Sequence, residues 1–130
     1  MQQTEKYDEA QLQSAKPYDI TMRTFEFALD IVNYCERSER KSSVSRILLK
    51  QLIRSGTSVG ANVEEAQAGQ SRADFISKIN IALKEARETS YWLRLLAGSA
   101  HKPEDGLEAL INESIEICRI LGAIVSKAKK

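Results

Sequence analysis

Apolar residues return at three- and four-residue steps in four separate stretches of this chain, and little interrupts them. Only two prolines and six glycines occur in 130 residues. That period places apolar side chains on one helical face, so each stretch is predicted to be an amphipathic α-helix with a side to bury. The first is predicted over residues 21–37, with Phe25, Ala28, Leu29, Val32 and Cys35 turned inward. The second, over 44–68, carries Leu48, Leu52, Gly56, Val59, Val63 and Ala66. The third runs to residue 97 with Phe75, Ile79, Ala82, Ala86, Thr89, Leu93 and Leu96. The fourth runs to residue 126 with Leu107, Ile111, Ser114, Cys118, Leu121 and Val125. In the last two the rhythm is that of near-parallel bundle seams.

The connections are short and carry helix start and stop signals. Ser42 or Ser43 can cap the second helix, and Gly69 can end it in a left-handed conformation. Ser71 and Asp74 are spaced as a capping box for the third helix, and Asp105 with Glu108 for the fourth. Short loops force neighbouring helices antiparallel. The expected fold is an all-α, up-down-up-down antiparallel four-helix bundle over residues 20–126. Residues 1–19 are expected to form a flexible leader and 127–130 a basic tail.

Nineteen basic and eighteen acidic residues leave a net charge of +1, so no global field draws the chain to nucleic acid. The N-terminus lacks a signal-peptide pattern, and no apolar run reaches membrane-spanning length, so the expected location is cytoplasmic. Cys35 and Cys118 have no metal-type spacing and read as free thiols in the core.

Several helices hold more apolar surface than one seam uses. Ile81, Trp92 and Leu95 lie away from the Phe75–Leu93 seam of the third helix. Phe27, Ile31 and Tyr34 do the same in the first, and Leu110, Ile117, Ile120 and Ile124 widen the fourth. Surplus of this kind marks an interaction surface, so a homo-oligomer is expected. The alternative is a wide core face with some exposed apolar residues. Gly56 and Gly60, four apart on one side, let another helix come close; a local kink is the alternative reading. The interface candidates are therefore Gly56, Gly60, Ile81, Trp92 and Leu95.

Arg54, Ser58, Asn62 and Glu65 form a polar stripe on the second helix, and Glu85 and Glu88 a matching one on the third. A hydrogen-bonded network fixing helix register or a subunit contact is expected, with Arg54 and Asn62 facing the carboxylates. Metal chemistry would need a Glu-x-x-His pair or clustered ligands, and the one histidine, His101, sits in a predicted loop. No cofactor, small-molecule substrate or catalytic residue is expected. Arg40, Lys41, Arg46, Lys50 and Arg54 crowd one region against Glu39. Such a run is commonly a solvated face, but repeated around an oligomer it becomes a nucleic-acid candidate.

The run from Gln51 to Ala66, the segment Ser71–Phe75, Ala82–Thr89 and Tyr91–Leu96 together resemble the bacterial four-helix-bundle family named for proteins encoded in 23S ribosomal RNA intervening sequences. The resemblance covers about residues 20–126. It implies the same bundle, homo-oligomers that are typically pentameric rings, and no catalytic residues. It also implies structural or interfacial roles for Arg54, Ser58, Asn62, Glu65 and Glu85. A relative of that family, the accessory variability protein of diversity-generating retroelements, is a basic pentamer that binds nucleic acid and its reverse transcriptase. The expected function is a non-enzymatic homo-oligomeric adapter that holds RNA or a ribonucleoprotein through repeated basic patches. The alternative is a structural or protein-interaction module with no nucleic-acid role.

Overall fold

In the computed structural model, which describes residues 17–129, Pro17 opens the first helix, α1 (Pro17–Arg37). Proline suits that place because its φ is already helical and a first-turn N–H has no helical partner to lose. The helix thus starts four residues before the predicted boundary. Residues 1–16 of the expected leader, and Lys130 of the expected tail, lie outside the described residues.

The inward face of α1 is turned well round from the expected one, with only Cys35 of the expected stripe left packed against the core. Ile20, Thr24, Phe27, Ile31 and Tyr34 are buried at 4-3-4-3 spacing, whereas Phe25 and Leu29 are 54% and 47% exposed. The polar Thr24 hides the true seam in the sequence. Its hydroxyl is satisfied within the helix, donating to the Ile20 carbonyl at 2.8 Å, so it is buried without an unmet bond. Burying Phe27 and Ile31 contributes roughly 2–3 kcal/mol each.

Helix α2 (Ser43–Gln67) starts as expected, with the Ser42 hydroxyl accepting from the Ser45 N–H at 3.0 Å. Its end differs. Ala68 is the C-cap in an ordinary right-handed conformation, and Gly69 does not take positive φ. Room is tight there, since an added Cβ would sit 3.1 Å from the Ala66 carbonyl oxygen. Helix α3 (Arg72–Gly98) is capped by Ser71, which accepts from the Asp74 N–H at 3.1 Å. Helix α4 (Leu107–Ala128) lacks the expected side-chain cap from Asp105. Gly106 opens it in the left-handed region, φ 84°, and Arg37 lies so close that an added Cβ would be 2.6 Å from its Nη2. Two residues of the expected basic tail, Lys127 and Ala128, belong to α4.

Paired positions show the topology. Gly60 meets Thr24 while Gly56 meets Ile31, so α1 and α2 run oppositely. Ser55 bonds Thr89, and Arg54 reaches Glu85 and Glu88 across the α2–α3 pair. Arg23 reaches Glu113 of α4, and Arg37 reaches the Asp105 carbonyl just before that helix. The result is the expected antiparallel four-helix bundle. Its core holds Phe27, Ile31, Leu52, Val59, Ile79, Leu93, Leu96, Ile117 and Leu121. Consecutive helices pack closely, and the α1–α4 seam is the sparsest. In α4, Leu110 and Ile117 belong to this core rather than to a surplus face, and Ile111 and Cys118 sit at its edge.

Candidate functional site

The outer face of the α2–α3 pair brings together half of the polar stripe and part of the apolar surplus. On α3, Ile81, Glu85, Glu88, Trp92 and Leu95 recur at 4-3-4-3 spacing and so share one line along the helix. Ile81 and Leu95, at its two ends, are each 38% exposed. Between them, Arg54 of α2 pairs with Glu85 (Nη1 to Oε1, 3.4 Å) and through Nη2 with Glu88 Oε2. Its Nε donates to Gln51 Oε1 at 3.4 Å. The Trp92 indole N–H donates to Glu88 Oε2 at 3.1 Å, and Tyr91 packs edge-on at 5.3 Å between ring centres. A cation, two carboxylates and an indole thus sit in the middle of a greasy strip.

The rest of the polar stripe turns away. Ser58 donates to the Arg54 carbonyl at 2.6 Å, and the Asn62 amide donates to the Ser58 carbonyl at 2.8 Å. The Asn62 amide thus bonds its own helix, and Glu85 is paired with Arg54 instead. Glu65 is exposed and joins no ion pair among the described residues. Beneath the face lies a bond that sequence reading missed. Thr89 Oγ1 donates to Ser55 Oγ at 2.9 Å, fully buried between α2 and α3. It fixes their register with uncharged groups, and small hydroxyl residues inside an apolar stripe are its only sequence signal.

The glycine candidates serve a different contact from the one expected. A Cβ on Gly56 would lie 3.1 Å from Ile31 side-chain carbons, and one on Gly60 would lie 3.2 Å from the Thr24 carbonyl oxygen. Both glycines are buried and admit α1 of the same chain. They are not on a surface another copy could reach. Of the interface candidates, Ile81 and Leu95 remain exposed, with Trp92 half-buried between them.

The basic cluster also divides. Arg40 forms a latch at one end of the bundle instead of a free cation. It grips Glu104 through Nε and Nη2 (closest 2.8 Å), donates to the Leu96 carbonyl at 2.6 Å, and reaches Ser99 Oγ at 3.1 Å. Tyr34 donates to the same Glu104 oxygen at 2.7 Å. The hydrogen bonds from Arg40 hold the Glu104 carboxyl below its usual range, while burial and the bond to Glu104 raise the Tyr34 phenol. The latch joins two loops 64 positions apart, and no local periodicity reveals it. With Arg54 paired as well, Lys41, Arg46 and Lys50 are the exposed cations left in the cluster. Lys41 shares an open cleft of about 380 Å³ with Ser42, Ser45, His101 and Lys102 at the α2 N-terminus.

Burial pushes the Cys35 thiol up to about 11 and raises Cys118 as well, so both stay protonated at neutral pH. Among the described residues no three His, Cys, Asp or Glu side chains are grouped to hold a metal ion.

Residues 16–123 match a family model described as 23S rRNA-intervening sequence protein. A comparison with curated proteins finds no match. Among solved structures, the chain is similar to a crystal structure of a protein with unknown function from the S23 ribosomal protein family of Bacteroides thetaiotaomicron. The two are 43% identical with a TM-score of 0.72, over 82% of this chain and 97% of that one.

Proposed function

Since this chain belongs to the family of 23S rRNA-intervening sequence proteins, we propose that it is a non-enzymatic, homo-oligomeric adapter whose copies meet through the outer face of α2 and α3. The observation that carries this reading is the strip on which exposed Ile81 and Leu95 flank the Arg54–Glu85–Glu88–Trp92 cluster. An apolar strip with a polar centre suits association: the apolar ends supply the drive, and the charged centre admits only a partner that complements it. The resemblance drawn above makes five copies in a ring the expected assembly, and the proposed place of work, from the N-terminal sequence pattern, is the cytoplasm. No helix among the described residues is long and apolar enough to cross a membrane.

Light scattering on eluting protein tests this reading. The unaltered chain should run as a multiple of 14.6 kDa, and Ile81→Glu with Leu95→Glu should reduce it to one subunit with unchanged helical circular dichroism. An unaltered chain that runs as a single subunit at high concentration would sink the reading.

RNA is the proposed partner, on the observation that Lys41, Arg46 and Lys50 are exposed, keep clear of the ion pairs that hold Arg40 and Arg54, and recur once per copy. Repeated phosphate contacts give steep salt dependence. A gel shift with structured RNA should weaken about tenfold or more between 50 and 200 mM salt. Replacing all three with glutamine should flatten that dependence. No binding at low salt by the intact oligomer would leave the protein-interaction module without a nucleic-acid role.

A further inference from the structure

The outward side of α1 carries a second apolar surface that the proposed assembly face does not use. Met22, Phe25 and Leu29 lie at three- and four-residue steps and line a groove of about 340 Å³ with Thr21, Glu26 and Glu64 of α2. Phe25 and Leu29 are about half exposed while the opposite side of the same helix fills the core. A helix that is apolar on both sides has its second side available for another surface. The row from Met22 to Leu29 is about two turns long, roughly 10 Å, which suits one short helix lying along it.

Among the described residues the charges around the groove have one sign. Glu26 and Glu64 form its rim, both exposed, and Asp30 follows one turn after Glu26. No cation lines it. The nearest in sequence, Arg23, is turned to α4, where it holds Glu113 with two hydrogen bonds of 2.7 and 2.9 Å. Two copies meeting symmetrically here would set Glu26 and Glu64 against their own kind, which disfavours self-pairing. The geometry points to a docking groove for a partner protein's amphipathic helix, with aliphatic residues seated on Phe25 and Leu29 and flanking lysines or arginines set against Glu26 and Glu64.

The probe is a labelled synthetic helix of about 18 residues, with leucines at three- and four-residue spacing and lysines beside them. Its control keeps the leucines and replaces each lysine with glutamate. Titrated against the full chain in fluorescence anisotropy, the lysine peptide should bind at least about tenfold tighter than the control. Phe25→Ser with Leu29→Ser should remove about tenfold of that affinity. Glu26→Lys with Glu64→Lys should reverse the preference between peptides. Glu39→Lys with Glu108→Lys, at exposed acids outside the groove, should leave it unchanged. Equal binding of the two peptides, or indifference to the groove variants, would overturn the proposal. So would a change in the chain's own oligomeric mass on Phe25→Ser with Leu29→Ser, which would give the groove to a second copy.

Discussion

Gly60→Leu lowers the free energy of unfolding by about 3 kcal/mol, at the upper end of what overpacking a well-filled site costs. The first carbon of the new side chain already meets the Thr24 carbonyl at 3.2 Å to oxygen and 3.3 Å to carbon. That obstacle is backbone, in the middle of α1, and cannot turn aside as a flexible side chain would. The rest of the leucine has to push α1 and α2 apart along the seam where Ile31 meets Gly56. Gly122→Ala is the matching control. Among the described residues nothing lies within 4 Å of its added Cβ, so it gains about 1 kcal/mol from helix propensity alone. Urea unfolding of both variants checks the contrast. A Gly60→Leu chain as stable as the unaltered one would mean that the α1–α2 approach is looser than described.

The latch gives the second large effect, and it depends on pH. Arg40→Met costs about 2 kcal/mol at pH 7, between the cost of breaking a buried pair and that of an exposed one. The pair is partly sheltered, at 11% and 25% side-chain exposure, and the change also strips donors from the Leu96 carbonyl and Ser99. The Glu104 carboxyl is held below its usual value of 4.5 in the folded chain. A lowered folded value means that the contribution is fully present above the unfolded value and is lost as pH falls through the folded one. The unaltered chain should therefore lose stability below about pH 4.5 more steeply than Glu104→Gln, which has no carboxylate to protonate there. Thermal melts from pH 7 to pH 3 read the difference. Parallel curves would remove Glu104 from the pH response.

Helix number, order and the inward faces of α2 and α3 were legible in the sequence because each has one dominant apolar stripe. In α3, Ile79, Ala82, Ala86, Thr89, Leu93 and Leu96 lie in the core as their spacing predicts. Helix α1 defeated the same rule because it has two candidate stripes. The one that looks greasier, through Phe25 and Leu29, faces outward. The true stripe contains Thr24, whose polarity counts against it until its bond to Ile20 is seen. The polar pairing of Arg54 with Glu85 was readable because both lie on long helices whose relative direction short loops dictate. The Arg40–Glu104 latch was not, because it joins irregular segments whose positions only the packed bundle determines.

The sparse α1–α4 seam has a consequence for how the chain reaches this shape. Every closely packed pair joins helices that follow one another, across connections of a few residues. Little chain entropy is spent bringing such neighbours together. The distant closures are the sparse seam between first and last helix and the Arg40–Glu104 latch at one end of it. Folding can proceed hairpin by hairpin and close that seam last, which places the chain among the fast-forming local topologies.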